Sequence, residues 1–533
     1  MKLDSKLKKT SQGLFKDREN LEKNVVSRGA AVFPIFDLKS TDLILIFQNY
    51  WKWKRALDVE YKITLRNEEG KELLNTKNKK VKDINLISIK EVIEKKCFSF
   101  ELFKFGLVEI EIFSKGNIVY PFPAIIGTYK SKNGMISSVH SCGRTLGKGI
   151  IENKNFSETN FYVCKSDRFI PFIHIFNGYS GSIRNIKIII RKASSNSIYK
   201  TISIEPLEKQ YESKVIFFNV EGEREINLDT KSHNFKNQID LPDSANYLVS
   251  IEGSCSSIFP RFLCGNFDKK NNHYCVTHTF REVNFEGDTL ENCLKPDNQS
   301  YVSLPTFSKT INLKAVVYPT SSPTSLKVKL NQKDFKNLSL NKKSTSRDLS
   351  AKACEIYTAN ISSEESDGIM LTALPDNKEK ILPARIGINL MYSLNSGMET
   401  MPPDIAHQMS TYLTGHKLNY WYAGLIENGY ENVILGSSII SKSLINGKAE
   451  SIDFDLCVEL SEGKKFVKNY RFNSVNGKSF QIKLDEVITE FRIDLNKSNA
   501  YAWRIKVNKG KMGALYCLSY NSELGCIYGE HSF

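Results

Sequence analysis

The chain has 533 residues, of which 41% are hydrophobic and 25% charged, and its formal net charge is +15. These values exclude a mostly disordered chain and a collagen-like one, and the length calls for about two to five modules, because a single core stops growing at roughly 250–300 residues. Apolar runs such as Asp42–Phe47 and Ile186–Ile190 are far shorter than the roughly 18 residues that span a bilayer.

Residues 1–35 read as a polar N-terminal arm. The arm lacks the roughly 7–15-residue apolar stretch of a secretory signal, so a cytoplasmic location is expected, although export without a cleaved signal is compatible with the same residues. The 11 cysteines are odd in number, scattered, and include no Cys-x-x-Cys pair, which fits reduced thiols rather than a disulfide scaffold. Basic residues are dispersed. The densest clusters, Lys6–Lys9 and Lys77–Lys82, do not interleave aromatics with arginine as a stacking groove would, so a nucleic-acid partner is not expected.

Beyond the arm, short apolar segments follow one another: Leu43–Phe47, Val108–Phe113, Ile186–Ile190, Val215–Val220, Tyr247–Ile251, Leu326–Leu330, Phe454–Leu460 and Trp503–Val507. Gly, Asn, Asp, Ser or Pro bounds each one. Several alternate with period two, as strands with one buried face do. Helical periodicity is confined to Ile87–Lys96 and Asp485–Phe491. No strand–helix–strand alternation occurs, so the predicted class is all-β: about four tandem β-sandwich modules of general immunoglobulin-like architecture.

Internal repetition sets the module count. Asn177-Gly178-Tyr179 recurs as Asn428-Gly429-Tyr430, 251 residues later. Phe218-Asn219 matches Phe472-Asn473, and Tyr247 and Ile251 match Tyr501 and Ile505, all at an offset of 254. Ile226-Asn227-Leu228 matches Ile482-Lys483-Leu484, and His278-Thr279-Phe280 matches His531-Ser532-Phe533. A weaker motif links Pro123-Ala124-Ile125-Ile126-Gly127, Pro260-Arg261-Phe262-Leu263-Cys264-Gly265 and Pro383-Ala384-Arg385-Ile386-Gly387. The expected modules are 36–145, 160–285, 300–410 and 415–533, each closing on a histidine: His140, His278, His407 and His531.

Two readings compete for these histidines. In one, imidazole fixes the turn after the last strand through a backbone hydrogen bond. In the other, the four are equivalent metal ligands or polar anchors. A shared site then requires the modules to close around a point, or several subunits to bring copies together, because a metal needs three or four ligands within about 2.1 Å. His273 and Cys275, which would share a strand face just before His278, form a second candidate metal set. No Gly-x-Ser-x-Gly elbow, Walker A loop, dinucleotide fingerprint or His-Glu-x-x-His occurs. Glu109 and Glu111, like Asp453 and Asp455, are expected on solvated strand faces. Trp51 and Trp53 are read as sharing a strand face. With Trp421 and the C-terminal Phe533 they are candidates for partner or sugar contact, or for packing between modules.

The functional expectation is a non-catalytic binding or assembly protein that self-associates or engages another protein, with a glycan as a further candidate ligand. The alternative is a carbohydrate-active or metal-dependent enzyme with a histidine-containing site at a module junction. No organic cofactor is expected, and a divalent metal is the one candidate.

Overall fold

A computed structural model describes residues 27–118, 123–140, most of 154–281, the strands of 294–409 and most of 419–533. The expected arm, up to residue 26, lies outside the described residues. Its last part is corrected: Arg28–Pro34 is a strand, buried along most of its length and paired with Leu107–Phe113. The segment Arg-Gly-Ala-Ala-Val-Phe-Pro is apolar enough to be the first strand of a module rather than the end of a polar arm.

The protein is all-β, built of two-sheet sandwiches whose described strands pair antiparallel, except that Gln238–Pro242 runs parallel to Ser213–Glu221. One strand path recurs along the chain. Counting eight principal strands per module, one sheet runs first–sixth–third–fourth and the other fifth–second–seventh–eighth. In the last module these strands are Asn419–Leu425, Glu431–Ser438, Glu450–Leu460, Lys465–Ser474, Ser479–Lys483, Ala500–Lys509, Met512–Asn521 and Cys526–His531. The same path holds for 28–140, 154–278 and 300–409, apart from a few short additional strands. The close approach of the last two strands restricts the sequence: a Cβ on Gly265 would lie 1.9 Å from the Cys275 carbonyl oxygen.

Strand patterns follow from what covers each face. In Thr41–Gln48, Leu43, Leu45 and Phe47 enter the core of their own sandwich, whereas Ile44 and Ile46 pack against Ala423, Leu425, Ala500 and Ala502 of the last module. A strand covered on both faces has no reason to alternate, which is why this segment reads as a continuous apolar run. The same relation joins the second and third modules, where Tyr162 and Leu248 pack with Val316 and Met391. At the first and second modules, Phe36 stacks on Tyr274 at 3.9 Å and meets Phe172 edge-on.

The modules thereby close into a ring, the last packing on the first. The four eighth strands lie at its centre: Ile136–His140 touches His273–His278 and Cys526–His531, and Ile405–Met409 touches the same two from the other side. Both expected helices occur, as Ile89–Glu94 and Leu484–Glu490. A third, Tyr50–Arg55, replaces the strand expected at Trp51 and Trp53. The Asn49 side chain accepts from the Lys52 amide and starts the turn, and Ala56 closes it at φ 52°. Residues two apart on a helix do not share a face, so Trp51 is fully buried while Trp53 is only partly so.

Candidate functional site

Each terminal histidine sits in its module's last hairpin, opposite the preceding strand: His140 across from Ile126, His278 from Leu263, His407 from Ile388 and His531 from Tyr516. Because the four eighth strands meet at the centre of the ring, these positions converge. The His140 ring centroid lies 4.5 Å from that of His278 and 4.6 Å from that of His531. Only the backbone of His407 falls among the described residues.

Sequence reasoning missed two members of the site, Glu530 and Arg261. Glu530 is buried and accepts from the His140 amide at 3.1 Å and the His531 amide at 2.9 Å. Its Oε2 lies 3.0 Å from His140 Nδ1, and its Oε1 lies 3.7 Å from His531 Nε2. The Arg261 guanidinium donates to His140 Nε2 at 2.7 Å. An arginine can only donate, so His140 Nε2 carries the lone pair and the ring proton sits on Nδ1. His278 Nδ1 donates to the Thr279 carbonyl at 2.7 Å, and His531 Nδ1 to the Ser532 carbonyl at 3.0 Å. The two copies thus repeat one local device, a histidine held by the carbonyl of the residue that follows it.

Burial dominates the electrostatics. It drives the His278 pKa well below the usual histidine value, with Arg261 adding to the effect, so this imidazole is neutral. Burial also raises the Glu530 carboxyl, while His531, the two backbone amides and Arg261 pull it back down. One ligand atom each from His140, His278, Glu530 and His531 fits within 4.8 Å of the others. Three of these residues are buried and His531 is partly open.

The other candidate ligands do not join this group. His273 is fully buried beside the Ile136 backbone, and burial lowers its pKa to about 4. Cys275 packs toward the third module with Val316 and Met391. Their separation has a simple cause: on strand His273–His278 the first and last residues lie at opposite ends, and only His278 reaches the ring centre.

Trp53, Trp421 and Phe533 meet at the joint between the first and last modules, while Trp51 stacks on Tyr50 within the core of the first module. Trp421 stacks with Tyr50 at 5.8 Å and with Phe533 at 6.2 Å, and Trp53 approaches it edge-on. Lys54 lies over the Trp421 ring and Arg504 over that of Trp53. Phe533 also exchanges backbone hydrogen bonds with Trp421, so the chain end is packed rather than frayed. Gln48 reaches across the same joint to the Tyr422 carbonyl at 3.1 Å.

The expectation that Glu109 is solvated is overturned. Although it lies on an alternating strand, Tyr211 of the second module covers it and donates to Oε1 at 2.5 Å, and Arg28 and Arg66 pair with it. Asp455 is bonded by Asn469 and Asn508 on an exposed face, which lowers its pKa.

No known family model matches the chain, and no curated protein does. Among solved structures, the chain is similar to a tetra-tandem repeat in the extending region of a large adhesion protein, at 7% identity and a TM-score of 0.08 over 89% of this chain and 91% of that one. A likeness of that size carries no argument. No helix among the described residues is long and apolar enough to cross a membrane.

Proposed function

We propose that the chain is a non-catalytic binding or assembly protein: four β-modules closed into one rigid body that pairs with a second copy through an outer strand. The observation that carries this reading is the closed packing. Of the aromatic side chains that could have stacked on a sugar, Trp53, Trp421 and Phe533 are engaged with one another and with neighbouring cations where the first and last modules join, and Trp51 is buried against Tyr50 in the core of the first module. Free backbone pairing capacity lies at the rim. Ile198–Ile204 forms one edge of its sheet, with Ile198 61% and Tyr199 40% exposed. An exposed edge of this kind, with Lys200 as its one charged residue, is open to strand addition by another chain. Light scattering on the full chain across a concentration series tests the reading. A dimer that Ile198→Lys dissociates supports it, and a monomer at every concentration removes self-association.

One observation favours the alternative of a metal-dependent enzyme at a module junction, namely the gathering of His140, His278, Glu530 and His531 where three modules meet. The partial exposure of His531 leaves a route to that group. Turnover of a hydrolysable substrate that is lost in His531→Ala would select it.

A further inference from the structure

We propose that the centre of the ring is a divalent transition-metal site built by the Nε2 atoms of His140, His278 and His531, with Glu530 and Arg261 as its switchable counter-charges. This does not depend on whether the outer strands bind a partner.

The ring nitrogens that face away from the site are the first sign of a ligand site. A metal-ligating histidine is normally fixed by a hydrogen bond from its other nitrogen to a carboxylate or a backbone carbonyl. His278 and His531 have that bond at Nδ1, to the Thr279 carbonyl at 2.7 Å and the Ser532 carbonyl at 3.0 Å, and His140 Nδ1 lies 3.0 Å from Glu530 Oε2. Each carbonyl bond assigns the proton to Nδ1 and leaves Nε2 as a lone-pair donor, and at His140 the donating Arg261 guanidinium makes the same assignment. The three donors come from three different modules, so local turn geometry cannot account for their meeting.

An independent observation points to a ligand. His278 Nε2 is buried and has no hydrogen-bond partner, although its ring stands among polar groups. A buried acceptor left bare is costly unless something binds it.

The dimensions suit a small ion. A tetrahedral ion with bonds of about 2.1 Å needs donor atoms about 3.4 Å apart. One nitrogen of each histidine and one Glu530 oxygen already lie within 4.8 Å of one another, so small side-chain rotations are what ion binding requires. Three imidazole nitrogens, with a carboxylate oxygen near the remaining position, select zinc or a similar divalent ion over calcium or magnesium, which prefer all-oxygen shells.

Arg261 gives the site its distinguishing property. Its guanidinium now takes the His140 Nε2 lone pair, at 2.7 Å. A lone pair serves one partner, so an incoming ion must displace the arginine. Arg261 is only partly buried, which gives it somewhere to go. The guanidinium therefore acts as the metal's stand-in, balancing Glu530 until the ion arrives.

The test uses the full chain, stripped with a chelator and titrated with cobalt(II) and zinc(II). One equivalent of cobalt should produce the intense visible absorption of a tetrahedral nitrogen-rich site, and zinc should abolish it. His531→Ala should weaken binding at least 100-fold. This variant is expected to fold because His531 is partly open and next to the chain end, and its circular dichroism and thermal midpoint serve as the control. His278→Ala should do the same, and if it fails to fold the His531 variant decides. Arg261→Met should tighten binding about tenfold or more, an outcome that a purely structural arginine would not give. The proposal is overturned if cobalt develops no such absorption, or if affinity is unchanged in folded His531→Ala.

Discussion

Two buried carboxylates hold module junctions together, and they do so by different chemistry. Glu109, between the first and second modules, is met by Arg28, Arg66 and the Tyr211 hydroxyl. Glu530, where the first, second and last modules meet, is met chiefly by histidines and backbone amides. Arginine stays charged and only donates, so the first junction is a fixed ion-pair clamp with no site for another ligand. Buried imidazoles are neutral and offer lone pairs, so the second junction has donors to spare. The difference separates a joint that only holds from one that can also receive something.

The largest effect should come from breaking the clamp. Glu109→Ala leaves Arg28 and Arg66 beside each other without their shared partner, and should lower the unfolding free energy by about 3–5 kcal/mol in urea titrations. A loss below about 1 kcal/mol would show that the arginines are hydrated and that this junction is no clamp.

Acid should have the next largest effect. Burial lowers His174 to about 3 and His273 to about 4. Below the unfolded value of about 6.5 the unfolded chain binds more protons than the folded one, so stability falls as pH drops. Each of these histidines should remove about 1.4 kcal/mol per pH unit until its folded pKa is reached. His278 shifts in the same direction and adds to the loss. The thermal midpoint should therefore fall steeply from pH 6.5 to 5, and a flat profile would contradict the burial of these rings.

Tyr211→Phe removes one hydrogen bond to a charged group and keeps the ring, and should cost about 2 kcal/mol. The smallest effect has the opposite sign. His174 lies between Phe36 and Phe176, with both ring nitrogens buried and unpartnered. His174→Leu should stabilise the chain by about 1 kcal/mol, because an orphaned polar group is replaced by an apolar one. A loss instead would mean that this imidazole has a use.

The recurrent pattern of strands was legible in the sequence because it depends on local chemistry: period two, turn residues and repeated anchors such as Tyr247 and Tyr501 at the start of the sixth strands, whereas Asn177-Gly178 and Asn428-Gly429 fall at different turns. What was hidden depends on contacts between distant segments. Glu109 looked solvated because the residue that covers it, Tyr211, lies 102 positions away. Trp51 and Trp53 looked like strand partners because alternation in Tyr-Trp-Lys-Trp-Lys-Arg outweighed the single capping residue Asn49. The histidines could be paired with one another by sequence. Their meeting could not be read there, because it depends on ring closure, and Glu530 carried no signal beyond standing next to His531.

The central claim is that the first and last modules are joined at the histidine cluster. A double-mutant cycle between His140→Ala and Glu530→Gln, residues 390 apart in sequence and 3.0 Å apart in space, tests it most directly. The account predicts that the two effects on unfolding free energy fall short of additivity by about 1–3 kcal/mol. Effects that add to within about 0.5 kcal/mol would mean that the two side chains act independently and that the ring is not closed at this point.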